Sequence, residues 1–265
     1  MKSHFFPDSN LNIAFSNVKH IWKRNFLFYK KNWEISFFWT MIEPLITLFA
    51  IGFGLGSFVN QINDVPYIDF LFPAMLCNTA MIIPYFEATY SNYSKLKYQK
   101  LYSALLLSPM NASELIIGEL VWATTKGFFA ILGIAFVASF WSLINFQQFL
   151  ALLPLLLITS WIFSCVGMAS TAFAKNYDWF VYISSGLIIP LSLFSGTYFP
   201  LDNLPSAFNA FVHIFPLAHS VSLARSIMSF EFTLWSLFSL AFLLLAAVLF
   251  TRFTIKNFLT RLLKT

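Results

Sequence analysis

The chain has 265 residues, 58% of them hydrophobic and only 10% charged, with a formal net charge of +5. A soluble domain carries about 25% charged residues, so this composition, with a mean hydropathy of +0.73, excludes an ordinary globular enzyme. It points to an all-α protein that crosses a membrane several times.

Residues 1–34 come first. MKSHFFPDSN has no apolar core, so a cleaved signal peptide is not expected. Leu11, Phe15, Val18, Trp22, Phe26, Tyr29 and Trp33 then recur at spacings of three and four, with Lys19, Lys23, Arg24, Lys30 and Lys31 between them. This predicts an amphipathic helix capped by Asp8 or Ser9. Such a helix either lies in the membrane surface or packs on a soluble partner.

Residues 35–265 form the membrane domain. Six spans are predicted at about 36–59, 68–91, 116–139, 148–173, 179–199 and 232–252, from uncharged runs near the roughly 20 residues a span needs. The 48-residue run Gly127–Ala174 holds two of them, with Asn145-Phe146-Gln147-Gln148 as the turn between. With both termini cytoplasmic, fourteen Lys and Arg residues fall inside and Arg225 alone outside. A seventh span over 203–224 would reverse the C-terminal charges, and Pro205 and Pro216 cut that run into pieces too short to cross.

Between spans two and three the sequence reads SNYSKLKYQKLYSALLLSPMNASELIIGEL. Span two is expected to run past the membrane into a short helix from Lys100 to Leu107. Ser108-Pro109 ends that helix, and Asn111 to Ser113 caps the next. It either docks into a partner's groove or lies on the headgroups.

Four charges fall inside the spans: Glu43, Glu87, Glu119 and Lys126. Glu119 and Lys126 share a helix face but sit about 10 Å apart along the axis. Lys126 is therefore expected to pair with Glu43 or Glu87 on another helix. Such a pair either fixes packing or serves substrate access and coupling. Gly52 and Gly56 form a GxxxG that suits close helix approach, within one subunit or across a dimer. Cys77 and Cys165 lie inside spans and read as small buried thiols. His213 and His219 lack the further ligands that a metal needs.

Residues 195–205 read SGTYFPLDNLP. Gly196, Pro200, Asp202, Asn203 and Pro205 predict a turn into two short helices, a re-entrant segment over about 200–230. Irregular backbone at membrane depth needs cover by protein or a water-filled cavity. The segment is a candidate outer gate, or a cover for the outer surface.

The dipeptide Gly-Lys is absent, so no P-loop is present, and no catalytic constellation stands out. The order of EPLITLFAIGFGLG (43–56), KLYSALLLSPMNASELIIGELVWATTKG (100–127), SGTYFPLDNLP (195–205) and PLAHSVSLAR (216–225) resembles the membrane subunit of ABC-2 type exporters, closest to the lipo-oligosaccharide (nodulation-factor) and drug-export permeases. The resemblance implies a non-enzymatic permease in a bacterial inner membrane. It implies assembly of two permeases with two ATPases that bind the ATP and magnesium, and no nucleic-acid partner. It carries a coupling helix onto Lys100, Leu101, Tyr102, Leu105, Leu106, Ser108 and Pro109, and the re-entrant turn onto Gly196, Pro200 and Pro205. Relatives often have an acidic residue where this chain has Ser103 and Ala104. Two other classes stay open: an ion-coupled carrier or channel using Glu43, Glu87 and Lys126, and a membrane-embedded transferase.

Overall fold

The computed structural model describes residues 14–59, 61–62, 65–201 and 205–263. Its elements, in order, are α1 (Phe15–Lys31), α2 (33–57), a two-stranded hairpin (Gln61–Ile62 with Val65–Pro66), α3 (Tyr67–Tyr98), α4 (Leu101–Leu105), α5 (Ala112–Ser139), α6 (Phe146–Phe173), α7 (Asp178–Phe194), α8 (Ser206–Val212), α9 (Pro216–Ser229) and α10 (Leu234–Leu262). Four of them, α3, α5, α6 and α10, are long and apolar enough to cross a membrane. The chain is an all-α membrane protein.

The predicted interface helix starts at Phe15; Asp8 and Ser9, the expected caps, lie outside the described residues. Its packed face differs from the predicted stripe. Val18, Ile21 and Asn25 are buried, whereas Phe15 is 83% exposed and Trp33 belongs to the next helix. The face is set by α5, on which α1 lies. Gly118 makes this approach possible: a Cβ there would stand 2.8 Å from the Cβ of Ile21. Trp22 donates its indole N–H to Thr125 at 3.1 Å.

Polar caps begin three of the long helices. Asn111 with Glu114, Asn145 with Gln148, and Thr233 with Ser236 each close a reciprocal capping box. Asn145 and Gln148 therefore open α6, where the sequence suggested a turn; the reversal itself occupies residues 140–144. The helices differ from the predicted spans mainly at their ends: α3 continues to Tyr98 through π-helical turns, and α7 stops at Phe194.

Helix α3 is the hub. It packs on α5, α6 and α9, and its stretch from Leu71 to Met81 is buried throughout. Gly52 and Gly56 of α2 turn toward Ile68, Leu71 and Tyr67 of this helix, so the GxxxG packs within the subunit. Helix α10 leaves most of its apolar surface outward, as a lipid-facing helix does. Where a seventh span was weighed there are instead two short helices, α8 and α9. The 14 residues of α9 reach about 21 Å, less than the roughly 30 Å of a bilayer core.

Candidate coupling site and outer turn

Helix α4 hangs between α3 and α5. Lys100 adopts a left-handed backbone (φ 51°), which costs an L-residue about 1–2 kcal/mol and turns the chain sharply out of α3. It is not helical itself, so the helix is shorter at both ends than the predicted 100–107. Ser108 Oγ donates to the carbonyl of Leu105 at 2.6 Å, and Pro109 follows. The orientation of α4 follows from what it packs against. Tyr102 is fully buried, its ring edge against Phe258 at 6.0 Å. Leu105 and Leu106 are half-buried against a cluster that includes Leu115, Leu120 and Met168. Ser103, Ala104, Ser108 and Pro109 are exposed, and Leu107 is 89% exposed. The apolar group left free for a partner is Leu107, and Tyr102 is the anchor that seats the helix.

Above α4 lies a cluster of buried charge. Glu119 of α5 is wholly buried. It accepts from Arg24 of α1 at 2.6 Å, from Lys95 of α3 at 2.7 Å and from the Asn25 amide at 3.0 Å. Lys95 also donates to Asn92 at 3.3 Å. Burial, with the neighbouring Glu119 charge adding to it, holds the Tyr102 phenol well above its ordinary value, so it remains a neutral O–H. About two turns away along α3 and α5, Glu87 accepts from Lys126 at 2.8 Å and from the Trp122 indole at 2.9 Å. Lys126 thus takes one of the two partners the sequence offered; the side chain of Glu43, the other, lies outside the described residues. Arg24 and Lys95 were both counted as ordinary cytoplasmic charges in the sequence. The signal that marks them is positional: Arg24 adjoins the packed Ile21–Asn25 face of α1, and Lys95 lies two turns beyond Glu87 on α3.

At the other end of the molecule, α7 ends at Phe194 and the chain reverses through Gly196, whose φ of +77° suits glycine alone. Its carbonyl accepts from Arg225 Nη2 of α9 at 2.6 Å. The same guanidinium donates to the carbonyl of Phe70 at 3.3 Å and lies 3.6 Å from the centre of that ring. Arg225 was counted only as the one basic residue outside; it is half-buried and ties α9 to α3 and to the turn. Pro200 is half-buried, Pro205 precedes α8, and Asp202 and Asn203 lie outside the described residues. Both ring nitrogens of His219 are engaged, Nε2 with the carbonyl of His213 at 2.8 Å and Nδ1 with Ser239 at 3.1 Å. The thiols of Cys77 and Cys165 are buried and unbridged.

A model of the ABC-2 type transporter family matches residues 16–229, from the first turn of α1 to the last of α9. The chain belongs to the ABC-2 type transporter family. It is 35% identical over 208 residues to Nodulation protein J of Rhizobium leguminosarum bv. viciae, which covers 78% of this chain and 80% of that protein. Nodulation protein J of Bradyrhizobium diazoefficiens is 31% identical, covering 80% and 81%. The inner membrane transport permease YadH of Escherichia coli K12 is 22% identical, covering 77% and 80%. Members of the ABC-2 family are membrane subunits of transporters and work with an ABC ATPase. The ABC-2 domain here therefore contains both α4 with its buried charges and the α7–α9 turn.

Proposed function

We propose that this chain is the permease subunit of an ABC exporter that moves an amphiphile, of the lipo-oligosaccharide, lipid-linked glycan or hydrophobic drug kind, out across a bacterial inner membrane. Two copies pair, and two ATPase subunits dock on their cytoplasmic faces and bind the ATP and magnesium. Helices α2 and α7 complete six crossings with α3, α5, α6 and α10, both termini are cytoplasmic, and α8 and α9 re-enter from the outside.

The observation that carries this reading is α4. A five-residue helix is fastened by a buried tyrosine, is followed two residues on by one bare leucine, and rests on a charge cluster shared by α1, α3 and α5. Force applied at Leu107 has a short, stiff route into three helices. The carrier reading loses ground for a specific reason: Glu87 is already paired with Lys126, so it is not the free carboxylate that a proton relay requires. The deciding experiment is to purify the chain with its ATPase and ask which lipid extract or drug stimulates ATP hydrolysis. Transport that follows a proton gradient with no ATPase present would reverse the conclusion.

A further inference from the structure

A cavity of about 800 Å³ opens beside the Gly196 turn, between the first turns of α3, the start of α6, and α9 with the beginning of α10. That volume lies within the usual range for small-molecule sites. Its lining is mixed: Asp69, Arg225 and Glu231 carry charge, Ser195 and Ser222 carry hydroxyls, and Phe70 and Trp235 give aromatic faces.

Two of its polar atoms lack partners. Ser195 is 1% exposed, and its hydroxyl, though buried, has no hydrogen bond. The buried Nδ1 of His213 has none either. Buried polar atoms are nearly always satisfied, and an unsatisfied one calls for an explanation. A hydroxyl can both donate and accept, and a neutral imidazole nitrogen does one or the other, so ligand hydroxyls would satisfy both atoms.

The charges narrow the ligand further. Among the described residues, the carboxylates of Asp69 and Glu231 have no hydrogen-bond or ion-pair partner, and both residues are exposed where the cavity meets solvent. Carboxylates only accept. Arg225, the cation of the lining, directs Nε and Nη2 at the carbonyls of Phe70 and Gly196. The two-pronged fork that arginine offers a phosphate is therefore already in use. A phosphate here would meet two free carboxylates and an occupied guanidinium.

We infer that this cavity is a binding site for an uncharged, hydroxyl-rich headgroup, a sugar, and that it disfavours phosphate and other anionic heads. The inference rests on the export reading for its placement on the outer side, and it names the part of the amphiphile held there. Hydroxyls of the sugar satisfy Ser195, His213, Asp69 and Glu231, while its apolar face lies on Trp235.

The test uses the full-length chain in lipid nanodiscs with Ser222→Cys and a membrane-impermeant maleimide. The unsubstituted chain, whose Cys77 and Cys165 are buried, supplies the background. Octyl glucoside, octyl phosphate and octyltrimethylammonium share one tail and are used below their micelle-forming concentrations. Octyl glucoside is expected to slow labelling, and the other two are not. Adding Ser195→Ala or Asp69→Ala should raise the half-protecting glucoside concentration by roughly two- to tenfold, the range for one lost hydrogen bond. Labelling rates without any probe should stay unchanged in these variants, which reports that the site is still formed. Three outcomes would overturn the inference: no protection by the glucoside, equal protection by the phosphate or the ammonium probe, or indifference to both substitutions. Loss of protection in a chain that still exports would remove this site alone. A protected site in a chain that never couples to an ATPase would remove the export reading instead.

Discussion

Single residues decide whether charge can remain in this membrane domain. Glu119 pairs with Arg24 and Lys95 at once, so Glu119→Gln leaves two cations with no carboxylate between them. The expected loss is about 3 kcal/mol, the low end for a broken buried pair, because Arg24 is 29% exposed and keeps some water. The midpoint of thermal inactivation in detergent should fall in that variant. The second pair permits a cleaner measurement. Lys126→Met should destabilise through the unpaired Glu87, and adding Glu87→Gln should recover most of the loss; additive effects in this double-mutant cycle would show that the pair does not couple. Much of this was legible in advance. The axial distance between Glu119 and Lys126 told that they do not pair, and left Glu43 or Glu87 for Lys126. Arg24 and Lys95 were not legible, because a cation near a membrane surface looks the same in sequence whether it faces water or reaches inward. Arg225 hid for the same reason: a lone outer arginine gives no sign that its partners are backbone carbonyls.

Among the elements, the sequence told where α4 lies but not which way it faces. Five residues make less than two turns, and Leu106 and Leu107 fall just past the helix, so apolar periodicity does not tell Leu105 and Leu106 from Leu107. Packing against Phe258 and the α5–α6 cluster made that choice. Leu107→Asp is therefore expected to uncouple ATP hydrolysis from transport while the chain inserts normally, since a carboxylate would have to be desolvated against the ATPase. Wild-type transport in Leu107→Asp would remove the docking role. Tyr102→Ala should differ in kind, lowering thermal stability by about 3–5 kcal/mol as a large buried aromatic is lost. The outer turn carries its own experiment. Pro200→Ala with Pro205→Ala frees the segment to extend as helix. If it is a gate, the variant should assemble and hydrolyse ATP but export poorly or leak. Wild-type export and basal hydrolysis would make it only a cover.

For the whole molecule, the expected topology follows from the charge bias: the termini and residues 92–114 inside, residues 200–230 outside. Single-cysteine labelling on a background without Cys77 and Cys165 checks this, and labelling at position 260 from the outside only would overturn it. The overall plan was legible because long apolar runs and their polar interruptions report directly on what a bilayer tolerates. Helix ends were less so. Span two runs on to Tyr98 because π-helical turns and the buried Lys95 prolong it, features with no apolar signature. Helix α7 stops earlier than the predicted 199 because Gly196 and the grip of Arg225 end it.

The buried charges have a further consequence in the order of synthesis. Helix α5 brings two charges toward the bilayer, Glu119 and Lys126. Among the described residues, the ionic and hydrogen-bonding partners of those two side chains precede α5 in the chain: Arg24 and Asn25 on α1, Glu87 and Lys95 on α3. Chains emerge from the ribosome N-terminus first, so the counter-charges are made before the charges that need them. Neither Glu119 nor Lys126 has to wait, unpaired in hydrocarbon, for a later helix to arrive.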